Sequence, residues 1–360
     1  MSRIYLDHAA TSPLRPEARE AMLRGFEIWA NPSSPHAEGR AARAALEDAR
    51  ERVKAALNWR DGELIFTSGA SEAAALALGR ARGGRRMVSA VEHDAVLRAA
   101  PDATVLPVGA DGALDLAVLE RELAAGDAPV VAVQTINSET GNCQDFCEVA
   151  DMVEEAGGIH IVDASQGAGK LNFKYYTNMV IVSAHKFGGP VGIGALLVHD
   201  FDLLEPSGGH ERGYRRGTEN LPGALGMAAA LEAGGEPYLN LDDHGLMTQF
   251  AAEVRALGGT WFADRLDAPT GFIHAVAMPG LSGKAQLMRF DLAGISVSLG
   301  SACSSGSLHA SHVLKAMGVP DEEAERTIRV SFGWNTTRDE VERFCEVWLA
   351  MAREAAERAA

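Results

Sequence analysis

Ser183-Ala184-His185-Lys186-Phe187-Gly188-Gly189-Pro190 follows the apolar run Met179 to Val182 and leaves one lysine in a glycine-rich turn, between a hydroxyl and an imidazole. The run reads as a buried strand, and the turn at its end carries a side chain badly placed for simple solvation. Burial near other cations lowers a lysine's pKa and favours the neutral amine that condenses with an aldehyde. A solvated surface lysine is the plain alternative. In open α/β sheets ligands collect at the carboxyl ends of strands, so other strand ends of the chain are the places expected to meet Lys186.

Twenty-three residues upstream, Ile159-His160-Ile161-Val162-Asp163-Ala164-Ser165-Gln166 ends a second apolar strand on a carboxylate. Asp163 either caps its own turn or faces a cation, and a protonated pyridine nitrogen is one such cation. Further strands are expected at Leu64 to Thr67, Met87 to Val91, Val130 to Thr135 and Gly194 to Val198. Their continuous apolar, β-branched character suits a largely parallel sheet covered on both faces. Between the strands, Pro16 opens one helix, and Leu46, Ala49, Val53 and Leu57 mark the buried face of the next. Phe66-Thr67-Ser68-Gly69-Ala70-Ser71-Glu72 ends a strand and starts an alanine-rich helix. Its first-turn N–H groups suit a phosphate, unless Ser68 or Ser71 merely caps the helix.

Past Gly234-Gly235-Glu236-Pro237 the pattern changes to helix and strand around Phe272 to Ala277 and Ile295 to Ser298, then a long helix from Arg338. This predicts a second, smaller domain. Arg329 stands in the short β-type run Thr327 to Phe332, as an exposed edge residue or as a fork for a carboxylate. Cys303 lies among small polar residues from Ser298 through Gly306, which predicts a loop rather than a packed position.

The chain has 360 residues, 47% hydrophobic and 23% charged, with a net charge of −16. That charge argues against nucleic acid and anionic membrane surfaces as partners. With no signal-type N-terminus and no run of 18 apolar residues, a cytoplasmic location is expected. The four cysteines show no disulfide framework, and Cys143 and Cys147 lack the second ligand pair a zinc site needs. No metal is expected.

Asp163 to Gln166 together with Ser183 to Lys186 resembles the cofactor signature of class V, fold-type I enzymes that use pyridoxal 5'-phosphate. Tyr5 to Ser12, Asn31 to His36, Arg216 to Asn220 and Gly300 to Ser307 are similar to segments of the NifS-like cysteine desulfurases, in the same order. The resemblance implies a large domain, residues 13–236, with a mostly parallel seven-stranded sheet between helices. A smaller α+β domain, residues 1–12 and 237–360, would carry the catalytic cysteine loop. It also implies roles for individual residues. Lys186 would hold the cofactor as a Schiff base and shuttle a proton, Asp163 would face the pyridine nitrogen, Gln166 the ring oxygen and His93 the ring face. Ala70, Ser71, Ser183 and His185 would bind the phosphate, joined by Thr218 from the second subunit of a homodimer. Asn137 would contact cofactor or substrate, and Arg329 the α-carboxylate of L-cysteine. Cys303 would accept the sulfur as a persulfide and pass it to an acceptor such as an iron–sulfur scaffold protein.

The sequence departs from that pattern at Val191, where a basic residue is usual, at Ser71 in place of threonine, and in the shortened stretch 202–207. It departs again at 234–240 and 308–311, and none of these positions holds an implied catalytic group. A lyase or aminotransferase acting on selenocysteine or cysteine sulfinate is the nearest alternative, and Cys303 argues against it. A non-catalytic scaffold would dispense with Lys186, Asp163 or Arg329, all of which are present.

Overall fold

The computed structural model of the chain describes residues 3–235, 244–300 and 311–359. In chain order the first part holds β1 (Ile4–Tyr5), α1 (Pro16–Glu27), α2 (Ala37–Ala56), β2 (Glu63–Thr67), α3 (Ala70–Arg80), β3 (Arg86–Ser89), α4 (Asp94–Ala99) and β4 (Thr104–Leu106). It continues through α5 (Leu116–Leu123), β5 (Val130–Gln134), α6 (Phe146–Glu155), β6 (Ile159–Asp163), β7 (Met179–Ser183), β8 (Gly194–Val198) and α7 (Leu221–Glu232). Seven of these strands form one sheet in the order β2-β8-β7-β6-β5-β3-β4. From β7 to β4 every pairing is parallel, while β8 runs antiparallel to both neighbours.

Every residue of β5, β6, β7 and β8 is buried, as expected of strands covered on both sides. The period of two then sorts the side chains. Val180 and Val182 of β7 join Leu46, Val53 and Met227 in the layer of α1, α2 and α7, while Met179 and Ile181 join Ala74 and Leu78 of α3 on the other face. Each such burial contributes about 1.5–3 kcal/mol. Pro16 occupies the first turn of α1, and a Cβ on Gly25 would come within 2.6 Å of Pro222, so glycine lets α1 lie close against α7. Strand β4 escaped individual prediction because it is three residues long at the sheet edge, with Val105 exposed.

The second part holds α8 (His244–Ala256), β9 (Thr260–Trp261), β10 (Ile273–Ala277), α9 (Gly283–Leu292), β11 (Ile295–Ser296), α10 (His312–Ala316), α11 (Asp321–Glu325), β12 (Thr327–Ser331) and α12 (Arg338–Ala359). An antiparallel sheet β12-β10-β9 packs with α8, α9 and α12 around Phe250, Phe290, Phe344 and Trp348. The N-terminus belongs with this part: β1 pairs in parallel with β11, and Leu6 and Ala9 join the same core. No helix among the described residues is long and apolar enough to cross a membrane.

Strand β2, which leads into α3, is braced from below by a buried ion pair. Arg50 Nη1 donates to Glu211 Oε2 at 2.7 Å and to Leu64 O at 2.6 Å, and Phe66 N donates to the same Glu211 oxygen at 2.9 Å. Both side chains are almost fully buried. Replacing Glu211 by Ala strands a buried guanidinium, with only Glu47 left as counter-ion at 3.1 Å, and is expected to cost about 3 kcal/mol. The paired replacement Arg50→Met with Glu211→Leu is expected to cost markedly less. Urea unfolding of the three proteins checks this, and equal midpoints for wild type and Glu211→Ala would refute it.

Candidate active site

The carboxyl ends of β3, β5, β6 and β7 and the start of α3 open onto one cavity of about 560 Å³. Its wall includes Ser71, His93, Asp163, Gln166, Ser183, His185, Lys186 and Arg329, so residues more than 250 positions apart converge there. The convergence follows from the sheet register, which places Gln134 beside Asp163 and Asp163 beside Ile181.

At the floor, β2 turns into α3 through Gly69, whose φ of 152° is open to glycine but not to side chains. No side chain caps α3. Neither Ser68 nor Ser71 plays that part, and the N–H groups of Ala70 and Ser71 have no partner among the described residues. Glu72, which also lines the cavity, is paired: it accepts from Ser68 N at 2.5 Å and from Arg215 Nε at 2.9 Å. An uncapped helix start aimed into a cavity beside the Ser71 and Ser183 hydroxyls is a cradle for a phosphate.

Asp163 ends β6 with both readings of it realised at once. Its Oδ1 accepts from Ser165 N at 2.9 Å, capping the turn, its Oδ2 has no hydrogen-bond partner among the described residues, and Asp163 lines the cavity. Gln166, a turn further on, donates from Nε2 to Ala9 O at 2.8 Å and accepts at Oε1 from Lys170 Nζ at 2.7 Å.

Lys186 follows β7 by one short turn, half-buried, and its Nζ donates to Ala9 O at 2.8 Å and Ala10 O at 2.9 Å. His185 Nδ1 meets Thr11 Oγ1 at 3.1 Å, and burial, followed by Lys186, Lys170 and His93, pushes it down to about 4. It is therefore neutral at pH 7. His93 caps α4, its Nδ1 accepting from Ala95 N at 3.1 Å, which puts the proton of the neutral ring on Nε2.

Arg329 is 2% exposed, although β12 is the edge of its sheet, because Ser298 and Asp7 bridge to β12 residues and cover that edge. Its Nη2 donates to Asp7 Oδ1 at 2.7 Å and its Nη1 to Ser138 O at 2.9 Å, while Nε is buried with no partner. Arg329 lines the cavity, and a guanidinium there is suited to a carboxylate. Asn137 is placed differently from the other expected residues. Its Oδ1 accepts from Glu139 N, Thr140 N and Thr140 Oγ1, its Nδ2 donates to Val91 O, and it shapes the turn that presents Ser138 rather than lining the cavity. Thr218 is exposed and away from the cavity wall.

Cys303 lies outside the described residues. The residues flanking that segment are fixed, because Ser311 Oγ donates to Glu139 Oε2 at 2.6 Å and a Cβ on Gly300 would stand 3.1 Å from the same oxygen. The Ser298 end of the expected loop is pinned too, by two backbone bonds to Arg329.

Sequence reasoning missed four contributors: the carbonyls of Ala9 and Ala10, the buried Lys170, and Glu92. Glu92 is fully buried, and burial with Asp163 nearby raises its carboxyl well above the usual range, so it stays protonated. A backbone carbonyl leaves no trace in residue type. Lys170 left a faint one, a lone lysine in the stretch Ala164 to Leu171 that is otherwise small, apolar or amide.

The aminotransferase class-V family model matches residues 4–344. A cysteine desulfurase of Cereibacter sphaeroides is 38% identical, covering 96% of this chain and 95% of its own. A putative cysteine desulfurase IscS 1 of Bacillus subtilis is 35% identical, covering 95% of this chain and 96% of its own. A solved structure described as a NifS-like protein superposes with a TM-score of 0.86 at 29% identity over 98% of this chain and 100% of that one. Another, described as SspA in complex with cysteine, gives a TM-score of 0.78 at 27% identity over 93% and 100%.

Four imidazoles are held neutral by burial: His8 and His160 at about 3, His185 and His274 at about 4. In the unfolded chain they take up protons near the ordinary value of about 6.5. Below that pH the unfolded chain binds more protons than the folded one, so stability present at pH 7 is lost as the pH falls. The urea midpoint is expected to drop steadily between pH 6.5 and 5, and a flat or rising midpoint over that window would contradict the neutral assignments.

Proposed function

The chain belongs to the aminotransferase class-V family, and on that premise we propose that it is a pyridoxal phosphate-dependent cysteine desulfurase. It takes the sulfur of L-cysteine onto Cys303 and releases L-alanine. The observation that carries the proposal is the convergence of Lys186, Asp163 and the uncapped start of α3 on one cavity. These are an amine, a carboxylate and an anion cradle, the three groups that an aldehyde, a pyridine nitrogen and a phosphate on one molecule require.

When bound, pyridoxal phosphate supplies an electron sink for charge developing on the substrate α-carbon. The chain does the rest. The N–H groups of Ala70 and Ser71, with the hydroxyls of Ser71 and Ser183 and the imidazole of His185, hold the phosphate. Asp163 Oδ2 keeps a proton on the pyridine nitrogen, His93 covers the ring face, and Gln166 offers an N–H to the ring oxygen. Arg329, steadied by Asp7 and Ser138 and lining the cavity, would bind the substrate α-carboxylate. Lys186 tethers the cofactor and then carries the α-proton. The net transfer balances: the substrate C–S bond breaks, a Cys303 Sγ–S bond forms, L-cysteine becomes L-alanine, and the thiol becomes a persulfide. An acceptor protein for iron–sulfur cluster or other sulfur-containing cofactor synthesis takes that sulfur by thiol attack.

The position of the flanking residues supports the role of Cys303. Gly300 lies against Glu139, the neighbour of cavity-lining Ser138, and three residues of chain span at most about 10 Å. The same reading divides the chain into a large domain, residues 13–236, and a small domain, residues 1–12 and 237–360. It also makes the enzyme a homodimer. The exposed Leu23, Phe26 and Trp29 along α1 and just past it offer apolar surface for the contact, and the reading assigns the exposed Thr218, which does not line its own cavity, to the partner's phosphate.

Purified protein loaded with pyridoxal phosphate and given L-cysteine is expected to form alanine, with mass spectrometry finding one added sulfur on Cys303. Cys303→Ala is expected to retain the cofactor but to lose sulfur transfer at least a hundredfold, and Lys186→Ala to lose the covalent tether. Sulfur found on Cys143 or Cys345, or alanine formed undiminished by Cys303→Ala, would overturn the assignment and favour another amino-acid substrate.

A further inference from the structure

Lys170 is 1% exposed, a lysine almost wholly withdrawn from water. It sits on the turn behind β6, where its backbone N donates to Gly167 O at 3.1 Å. Burial and the nearby Lys186 and Arg329 drive its amine well below the ordinary lysine range. Such a group is costly to bury unless its donors are used. Its Nζ donates to Gln166 Oε1 at 2.7 Å, and the ring of Phe272 closes another side at 5.5 Å.

That bond fixes which end of the Gln166 amide faces the cavity. With Oε1 taken by Lys170, both N–H groups lie on the opposite side. One goes to Ala9 O at 2.8 Å, and the other is left for the cavity that Gln166 lines. The reversed amide would set Oε1 against the Ala9 carbonyl, which can only accept, and would lose both the bond from Nε2 to Ala9 O and the bond from Lys170 Nζ to Oε1. Ala9 O is also an acceptor for Lys186 Nζ at 2.8 Å, so the two lysines are joined through one amide and one carbonyl.

We propose that Lys170 is a positioning residue for the cofactor: it locks Gln166 so that an N–H, never the carbonyl, meets the anionic ring oxygen. Through the shared Ala9 carbonyl it also fixes where Lys186 Nζ stands. The proposal rests on the cofactor reading above and adds a residue that acts only through another.

A double-mutant cycle tests it, using Lys170→Met, Gln166→Ala and the two combined. Each protein is titrated with pyridoxal phosphate for its dissociation constant, and each loaded protein is scanned for the pH midpoint of the bound cofactor's absorbance change. Lys170→Met is expected to weaken cofactor binding about tenfold, the scale of one hydrogen bond, and to raise the midpoint by about one unit, as Gln166→Ala does. In the Gln166→Ala background the same change is expected to add less than about twofold. Additive effects, or a Lys170→Met protein with wild-type affinity and midpoint, would overturn the proposal. A wild type that takes up no cofactor would instead sink the reading of the whole site. Thermal melting of the cofactor-free proteins checks folding, and Lys170→Gln, too short to reach Gln166, carries the same comparison should the Met variant fail to fold.

Discussion

Lys186 Nζ is held by the carbonyl oxygens of Ala9 and Ala10, and that grip is the contact on which the site depends. Residues 9 and 10 belong to a segment whose strand pairs with β11 in the second part of the chain, whereas Lys186 ends a strand of the central sheet. The segment is then clasped to the lysine turn by Ser12 N on His185 O, Ser12 Oγ on Lys186 O and Arg15 N on Gly188 O. Two carbonyls accept from either an ammonium or a neutral amine, so they aim the nitrogen in both states, though more strongly in the charged one. The cavity is thus a seam between two cores, and neither core alone would complete it.

The seam concentrates charge of the sign that the whole molecule lacks. The chain carries a net charge of −16, yet Lys186, Arg329 and the uncapped start of α3 all face one cavity. Of the nearby carboxyl groups, Glu92 is buried with its carboxyl pushed well above the usual range, Asp7 is paired with Arg329 and Glu72 with Arg215, while Asp163 lines the cavity. A low-dielectric pocket of positive sign inside an acidic protein draws in a multiply anionic ligand and leaves other surfaces repulsive to it. A phosphate-bearing cofactor joined to an amino acid carboxylate has that charge pattern.

The sequence was most legible where chemistry and secondary structure coincide. Asp163 and Lys186 each end a fully buried apolar strand, and in a parallel sheet the ends of such strands meet. Leu46, Ala49, Val53 and Leu57 announced the buried face of α2 through their spacing alone. What stayed hidden was whatever depends on long-range packing. The edge strand β12 gave no sign that residues 7 and 298 would cover it and bury Arg329, and nothing in Asn137 itself said that its amide would be consumed inside a turn. The dual use of Asp163 was hidden for another reason: capping and ligand binding looked like rival explanations, and a carboxylate has two oxygens.

The same logic explains why the departures from the family pattern leave the chemistry intact. Ser71 keeps a hydroxyl at the helix start, where a phosphate needs a donor. Val191 lines the cavity yet is 75% exposed, which puts it on the rim, where it changes what approaches rather than what reacts. An exposed valine replacing a cation at such a mouth removes an attraction for acidic surfaces and adds an apolar contact. Under the proposed function, a change at the rim bears on what approaches the cavity and a change at Lys186, Asp163 or Arg329 on the wall bears on the chemistry, so the two can diverge independently.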